Sequence, residues 1–418
     1  MAQVDQLQLD ALTGPGEGAA ILTDADRVSV GSASQNAFVL NDPAVSRVHA
    51  EFIRRGHRVF VRDLDSTNGT EVGDAIVRNT EVELMLPCEV RLGGTSLAVS
   101  DGAPTTKTVE EGTPLGALVG SSPEMLRLYR LIRRVAASEA SVLIQGESGT
   151  GKELVARAIA DSSPRRDGPF VVLDCGAIAS GVVGSELFGH ERGAFTGAVR
   201  QHAGAFERAH GGTLFIDEVG ELMPEQQVAL LGALERRQIR RVGGTRAIDV
   251  DVRVIAATHR DLRADVNRER FRLDLYFRLA VVRLDVPALR ERLDDLPALL
   301  ARMVQQSGAD LPDAFASPEM LRRLRAHSWP GNVRELRNFV DAWLATGEAQ
   351  LGPAVSAADT STEVEPYRSA KQRAVAEFER TYLARLYELA GGNLREAARL
   401  ARSDRKYLAE LMRRHGIH

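Results

Sequence analysis

Gly146-Glu147-Ser148-Gly149-Thr150-Gly151-Lys152-Glu153 decides the fold. Val142-Leu143-Ile144 runs before it, a compact apolar stretch with the length of a buried strand. Leu154-Val155-Ala156-Arg157-Ala158-Ile159-Ala160 runs after it, with apolar residues at helical spacing. Strand, glycine loop and helix together make a phosphate-binding loop. The glycines let backbone N–H groups turn inward on phosphate oxygens. The helix N-terminus adds positive potential, and Lys152 adds a point charge. The general pattern closes on Ser or Thr, whose hydroxyl ligates magnesium; Glu153 stands in that place here.

Around this loop lie 418 residues, enough for roughly two to four domains. The chain is 44% hydrophobic and carries a net charge of −4, the balance of a globular protein rather than of a disordered or uniformly basic one. Cys88 and Cys175 stand far apart, which argues against a disulfide framework or a thiolate metal site. Met1-Ala2-Gln3-Val4-Asp5 lacks the basic and apolar regions of a signal peptide. No run of about 18 apolar residues offers a membrane span. The expectation is a cytoplasmic protein.

Residues 1–100 read as all-β. Apolar and polar positions alternate at Val59 and Val61, at Val82, Leu84 and Leu86, and at Leu97 and Val99; Asn41-Asp42-Pro43, Asn68-Gly69 and Gly93-Gly94 mark turns. Many short strands between regular turns imply a β-sandwich. Two loops carry more than turn chemistry: Val45-Ser46-Arg47-Val48-His49 and Asp65-Ser66-Thr67-Asn68-Gly69-Thr70. With Gly31, they resemble the forkhead-associated (FHA) domain, a reader of phosphothreonine peptides. The resemblance covers roughly residues 25–100 and implies that Ser46, Arg47, Thr67 and Asn68 contact the phosphopeptide. It gives His49 a supporting role beneath the loops. The family usually places Arg after the first glycine, where this chain has Ser32. Losing such a charge-assisted contact costs about 1.5–3 kcal/mol.

Residues 101–117 are rich in Pro, Gly and Thr and read as a linker. From 118 the pattern alternates strands (Val142–Gln145, Phe170–Leu173, Thr213–Ile216, Val252–Ala256) with helices (Met125–Val135, Leu154–Ala160), the signature of an α/β domain with a mostly parallel sheet. From about 288 strands disappear and a small helical lid follows to 350. Within this domain, Gly211-Gly212-Thr213-Leu214-Phe215-Ile216-Asp217-Glu218 is an apolar strand ending in two carboxylates. Asp217 is placed to hold Mg²⁺ and Glu218 to activate the attacking water. Between the two nucleotide motifs lies Gly193-Ala194-Phe195-Thr196-Gly197-Ala198, where small residues surround one aromatic ring. A flexible tip that exposes a ring calls for a partner.

That hexapeptide is the hallmark loop of bacterial enhancer-binding proteins, the AAA+ activators of sigma-54 RNA polymerase. Residues 118–350 closely resemble their ATPase domain. The resemblance implies ATP with Mg²⁺, a ring of subunits with six as the expected number, and contact with sigma-54 through Phe195 and Thr196. Other positions match residue by residue. Arg241-Val242-Gly243-Gly244 resembles a second loop that supports the first, and Thr258 falls at the first sensor position. Spacing alone reads the Arg-rich run Phe271-Arg272-Leu273-Asp274-Leu275-Tyr276-Phe277-Arg278-Leu279 as a solvated helix face. The resemblance instead makes Arg272 and Arg278 fingers that reach a neighbouring subunit's γ-phosphate. Trp329-Pro330-Gly331-Asn332-Val333-Arg334 matches the second sensor, with Arg334 on the nucleotide, while Val119 and Gly120 match the adenine pocket. Glu153 is ordinary in this family. Asp174 departs from it, because many members carry Asn there, whose amide couples the catalytic Glu to the nucleotide.

Residues 351–366 read as a second linker. Residues 367–418 hold 12 Lys/Arg against 6 Asp/Glu, a net +6 beside −4 for the whole chain. Concentrated basic charge is the electrostatic footprint of DNA binding. Val375, Phe378, Tyr382, Leu386 and Leu389 mark one helix. After Gly391-Gly392-Asn393, Leu394, Ala397, Ala398 and Ala401 mark a second, and Leu408, Leu411 and Met412 a third. The arrangement resembles the Fis-type helix-turn-helix of the same activators, with Arg405, Lys406 and Tyr407 at the start of the recognition helix and Arg402 where the family usually has Gly. The whole then reads as an FHA-like sandwich, an AAA+ ATPase with helical lid, and an all-α DNA-binding domain: an ATP-driven transcription activator on enhancer-like double-stranded DNA. Two other readings remain open at this point, a protein-remodelling AAA+ ATPase and a phosphopeptide-binding scaffold.

Overall fold

Two burial rhythms divide the first 354 residues of the computed structural model. It describes residues 2–107, 115–309, 315, 317–347 and, toward the C-terminus, 383, 386, 390, 393–401, 408–409 and 412–413. The N-terminal rhythm has period two. In β3 (Arg27–Gly31) and β6 (Arg58–Asp63) buried residues alternate with more exposed ones, as they do when one sheet face packs inward. Eleven strands form two antiparallel-dominated sheets. One runs β2 (Ala20–Thr23), β1 (Ala2–Thr13), β11 (Thr95–Lys107), β10 (Cys88–Leu92), β7 (Thr70–Val72), β8 (Ala75–Val77). The other runs β4 (Phe38–Val39), β3, β5 (Ala50–Arg55), β6, β9 (Glu81–Leu84). Leu9, Val30, Phe52, Val61, Val90 and Leu97 fill the space between them.

The boundary predicted at residue 101 is corrected. Strand β11 continues through Lys107 because the start of β1 supplies a partner along its length, with Ala2 opposite Lys107 and Val4 opposite Thr105. The register shifts between Val4 and Gln6, so Pro104 sits at an irregularity where no ladder bond is required of it. Leu86 lies just beyond β9, ahead of Pro87.

The second rhythm is continuous burial. In β12 (Val142–Gln145), β14 (Thr213–Asp217) and β17 (Arg253–Thr258), consecutive residues are buried because helices cover both faces. The parallel sheet has the order β13 (Phe170–Asp174), β14, β17, β12, β18 (Val282–Asp285). Strand β17 starts one residue later and ends two later than predicted. Strand β18 is an additional element, whose short Val-Arg-Leu-Asp run carries too little pattern to stand out. Helix α1 (Pro123–Ala136) starts at Ser122, whose side chain caps Met125 N, with Pro123 at the first turn. Helix α2 (Lys152–Asp161) follows the glycine loop directly. The chain continues through α3 (Ser180–Phe188), α4 (Ala205–Arg208), α5 (Pro224–Arg236), the hairpin β15 (Gln238–Arg240) and β16 (Ala247–Asp249), α6 (Leu262–Asn267) and α7 (Leu273–Leu279). The lid contains α8 (Leu296–Gln306), α9 (Pro318–Arg325) and α10 (Asn332–Thr346) around Trp329, Leu336 and Val340.

One strand breaks the period-two rule. In β5, five consecutive residues are buried, Glu51 among them. Its outer face is covered by the ATPase domain. Arg263 of α6 forks onto the Glu51 carboxylate at 2.5 and 3.0 Å, while Arg283 and Arg27 reach it at 3.0 and 2.8 Å. Burial opposes the Glu51 charge, but three guanidinium groups outweigh it and hold the carboxyl well below its ordinary value of 4.5. Arg62–Asp261, Arg27–Asp285 and Arg268–Asp65 pairs frame this cluster at 3.0, 2.9 and 2.6 Å. Removing Glu51 strands two largely desolvated cations. Glu51→Ala is therefore expected to advance the denaturation step that separates the two domains by about 3–5 kcal/mol. The folded value is depressed, so this stabilisation is complete above the ordinary value of 4.5 and is lost as the pH falls below it. Unfolding followed from pH 7 to pH 3 checks the sign.

The segment Val355–His418 is a separate unit. Its α11 (Leu394–Leu400) lies in the second predicted helix, and Leu383, Leu386, Ala390, Ala397, Ala398, Leu408 and Met412 bury together. Arg405, Lys406 and Tyr407, and the linker predicted at 351–366, lie outside the described residues.

Candidate functional site

The phosphate loop leaves β12 at the carboxyl edge of the parallel sheet, the place where open α/β sheets bind ligands. Gly149 and Gly151 have φ of +79° and +100°, which a side chain would strain. The carbonyl of Gly331 closes against Gly149 and leaves no room for a Cβ. Lys152 is buried at the first turn of α2; its Nζ donates to the carbonyls of Gly146 and Glu147 at 3.1 and 3.3 Å. Glu153, one residue on, is exposed.

Parallel pairing sets Ile216 of β14 beside Ala256 of β17, so both strands end at this loop. Asp217 accepts from Glu218 N at 3.0 Å. Burial and the neighbouring Glu218 push its carboxyl upward, against the pull of Lys152. Glu218 takes the left-handed conformation, φ 52°, uncommon for this residue type. Its carboxylate lies 3.5 Å from Lys152 Nζ and accepts from His259, from the ring Nδ1 at 2.7 Å and the backbone N at 3.2 Å. Burial pushes its carboxyl up, yet His259 and Lys152 together leave it below its ordinary value. Thr258 is wholly buried, and its carbonyl accepts from Gly146 N at 3.3 Å, tying the predicted sensor to the loop. Asp174 ends β13 in register with Asp217. Its carboxylate accepts from Gly176 N and Ala177 N at 2.8 and 3.1 Å, within its own turn.

The lid closes over the loop from the other side. Arg334 donates to Ser148 Oγ at 3.1 Å, and its backbone N donates to the Gly149 carbonyl at 3.3 Å. Three residues missed in the sequence complete the latch. Asn332, buried with φ 53°, donates to Glu147 Oε2 and the Ser148 carbonyl and accepts from Leu289 N. Arg290 forks onto Glu147 at 2.5 and 2.8 Å, and Arg292 donates to the Thr150 carbonyl at 3.1 Å. Asn332 stands inside the stretch matched to the second sensor without a role of its own, and Arg290 and Arg292 carry no motif. Val119 packs against the lid core. Gly120, φ 146°, sits where a Cβ would strike Asp295, which accepts from Ser121 N, Ser122 N and Ser122 Oγ. Arg272 and Arg278 are exposed on and beside α7. Their partners are Asp274 and the Leu234 carbonyl, neither of which belongs to the phosphate loop.

The Gly193–Ala198 loop has a pinned base and an open tip. Gly193 N donates to the Ala198 carbonyl at 2.9 Å, with Gly193 and Gly197 both at positive φ. Phe195 is 44% exposed, its ring touching only the edge of His190 among the described aromatic pairs. Ala194 and Thr196 lie beside it. The predicted second loop, Arg241–Gly244, is the turn between β15 and β16. Glu191 N and the Val242 carbonyl bond at 3.1 Å, Val242 N and the Gly189 carbonyl at 2.9 Å, and Arg241 bridges Glu191 and Glu207. Gly243 packs against Ala194 with no space for a side chain.

At one end of the sandwich, Ser46 Oγ accepts from Thr67 N at 3.0 Å and Asn68 donates to the Ala44 carbonyl at 2.7 Å. His49 is wholly buried. Its Nδ1 accepts from Ser46 N, so its Nε2 carries the proton to the Gly69 carbonyl, the supporting role expected for it. Asp63, missed in the sequence, anchors the same turn through Ser66, Thr70 and Asn79 N. Arg47 points elsewhere: it donates to the Val266 carbonyl at 3.2 Å, and Asn267 donates to the carbonyls of Val48 and Leu64 at 2.6 and 2.9 Å. Gln35 and Arg47 thus face Arg270, Arg272 and Asp274 across a cleft of about 450 Å³.

Comparison with known proteins assigns three stretches of the chain. Residues 28–93 match the FHA domain, residues 118–285 the sigma-54 interaction domain, and residues 290–377 the AAA+ ATPase lid domain. The transcriptional regulatory protein ZraR of Escherichia coli K12 is 47% identical over 301 residues, covering 71% of this chain and 68% of the relative. GlrR of the same strain is 44% identical over 307 residues, covering 72% and 68%. The crystal structure of NtrX from Brucella abortus superposes with a TM-score of 0.54 at 36% identity, covering 71% of this chain and 69% of that one. NtrX has also been solved with ATP, which superposes at 0.51 and 34% identity over 72% and 69%. Among the described residues no helix is long and apolar enough to cross a membrane. With a phosphate loop, paired carboxylates, a latched lid and a sigma-54 interaction domain behind an FHA domain, the chain belongs to the family of ATP-driven, sigma-54-dependent transcriptional activators.

Proposed function

We propose that the chain hydrolyses ATP between Lys152, Asp217 and Glu218 and spends the resulting motion on sigma-54 through Gly193–Ala198. One observation carries this reading: the strand that ends in Asp217 and Glu218 and the pinned base of an exposed aromatic loop belong to one α/β domain built on a shared core. Lys152 turns from the carbonyls it now contacts to the β- and γ-phosphates, and Gly146–Gly151 supply backbone donors. Asp217 is a partly buried oxygen ligand suited to Mg²⁺, whose remaining positions phosphates and water would fill; the ion neutralises phosphate charge when bound. Glu218 accepts the proton of the attacking water. Arg334 follows the nucleotide from the lid, and Val119 and Gly120 line the adenine side. Arg272 and Arg278 act on the next subunit of a ring, six being the family number, because their own loop is out of their contact.

The remaining parts supply address and input. Residues 367–418 bind double-stranded DNA upstream of the promoter, with Arg405, Lys406 and Tyr407 at the groove, in the cytoplasm. The FHA sandwich reads a phosphothreonine segment at Ser46, Thr67 and Asn68, with Arg47, once released from the Val266 carbonyl, as the cation in place of one at position 32. The test is co-sedimentation with purified sigma-54. A transition-state mimic of ATP should trap a complex that is absent without nucleotide. Equal binding in both conditions would overturn the coupling of nucleotide to the loop.

A further inference from the structure

We propose that His259 is the positioning residue for Glu218, holding its carboxylate toward the γ-phosphate once Lys152 has turned to the nucleotide. This inference rests on the assignment of Glu218 as the base. The strand register brings the two together: β14 and β17 are neighbours in the sheet, Glu218 follows the last residue of one, and Thr258-His259 ends the other.

Two residues face the Glu218 carboxylate, and only one stays available. Lys152 Nζ, at 3.5 Å from Oε1, is drawn away by phosphate oxygens when ATP enters. His259 gives Oε2 two donors from one residue, Nδ1 at 2.7 Å and backbone N at 3.2 Å. A carboxylate only accepts, so the ring must carry its proton on Nδ1 here. Two donors fix the carboxylate's rotation and leave Oε1 to take the water proton. The left-handed backbone at Glu218 turns the residue off the strand toward His259. His259 itself is half exposed, so burying its ring does little for the core.

The experiment is steady-state ATPase kinetics of the full-length protein with His259→Ala, His259→Asn, Glu218→Gln and the Glu218→Gln/His259→Ala pair. His259→Ala should lower kcat by about tenfold or more and leave KM within about twofold. His259→Asn places an amide donor where Nδ1 was and should recover most of the rate. The pair should be no slower than Glu218→Gln alone, because the two act as one unit. A wild-type kcat in His259→Ala overturns the proposal, as does an Asn variant as slow as Ala. If Glu218→Gln itself hydrolyses ATP normally, the assignment of the base fails; if Glu218→Gln is inert and His259→Ala is normal, only the role of His259 fails.

Discussion

Glu218→Gln is expected to bind ATP as tightly as the natural chain and to lose hydrolysis by about two to four orders of magnitude, the worth of a positioned general base. The substitution keeps size and one oxygen. It removes the charge that faces Lys152 and His259 and the capacity to accept a water proton. Binding should persist because the proposed phosphate contacts are Gly146–Gly151, Lys152 and Arg334, and without the Glu218 charge Lys152 keeps the Gly146 and Glu147 carbonyls and Arg334 keeps Ser148. A fluorescent ATP analogue measures the first quantity and phosphate release the second. Retained turnover would remove Glu218 from the mechanism. Weak binding with normal turnover per bound nucleotide would make it a ligand-holding residue instead.

Thr196→Ala is expected to separate hydrolysis from its use. The side chain is exposed at the loop tip, so ATP turnover should stay within about twofold, the usual reach of a surface change. Opening of a sigma-54 promoter complex should fall by more than about tenfold, because small contact patches concentrate binding energy in a few side chains. The base of the loop gives a control. Gly243→Val adds a branched side chain against Ala194 at a position of φ 75° and should distort both loops together. Permanganate footprinting of promoter DNA beside a phosphate-release assay reads both activities in one sample. Parallel loss of both in Thr196→Ala would mean that the loop shapes the ATPase site rather than transmitting from it.

Much of the site could be read in the sequence because its chemistry is local. The phosphate loop, the Asp217-Glu218 strand end and the Gly193–Ala198 tip each occupy consecutive residues, and the backbone between their members fixes the geometry. What escaped reading depends on pairing across the chain. His259 meets Glu218 only because two strands far apart in sequence align in a given register. Asn332, Arg290 and Arg292 become a latch only when the lid folds back. Glu51 sits at an outward position of an alternating strand, where an acid normally means solvent, and nothing in its neighbours announces three arginines arriving from elsewhere. The strand at 101–107 was hidden by Gly102 and Pro104, which suit a linker equally well; its pairing with the first residues of the chain decides otherwise.

The engagement of Arg47 with the Val266 carbonyl has a consequence for signal quality. A guanidinium that already serves an intramolecular contact answers a phosphate only in the fraction of molecules that have let go, and apparent affinity falls by that fraction. If release costs about 3 kcal/mol, a phosphopeptide needing Arg47 binds the whole chain about a hundredfold more weakly than it would bind the same loops set free. Sparse or poorly matched phosphothreonines then pass unnoticed, and only a ligand presented at high local concentration crosses the threshold. On the proposed phosphothreonine reading, the docked face is a noise filter whose cutoff depends on the arginines that meet Glu51.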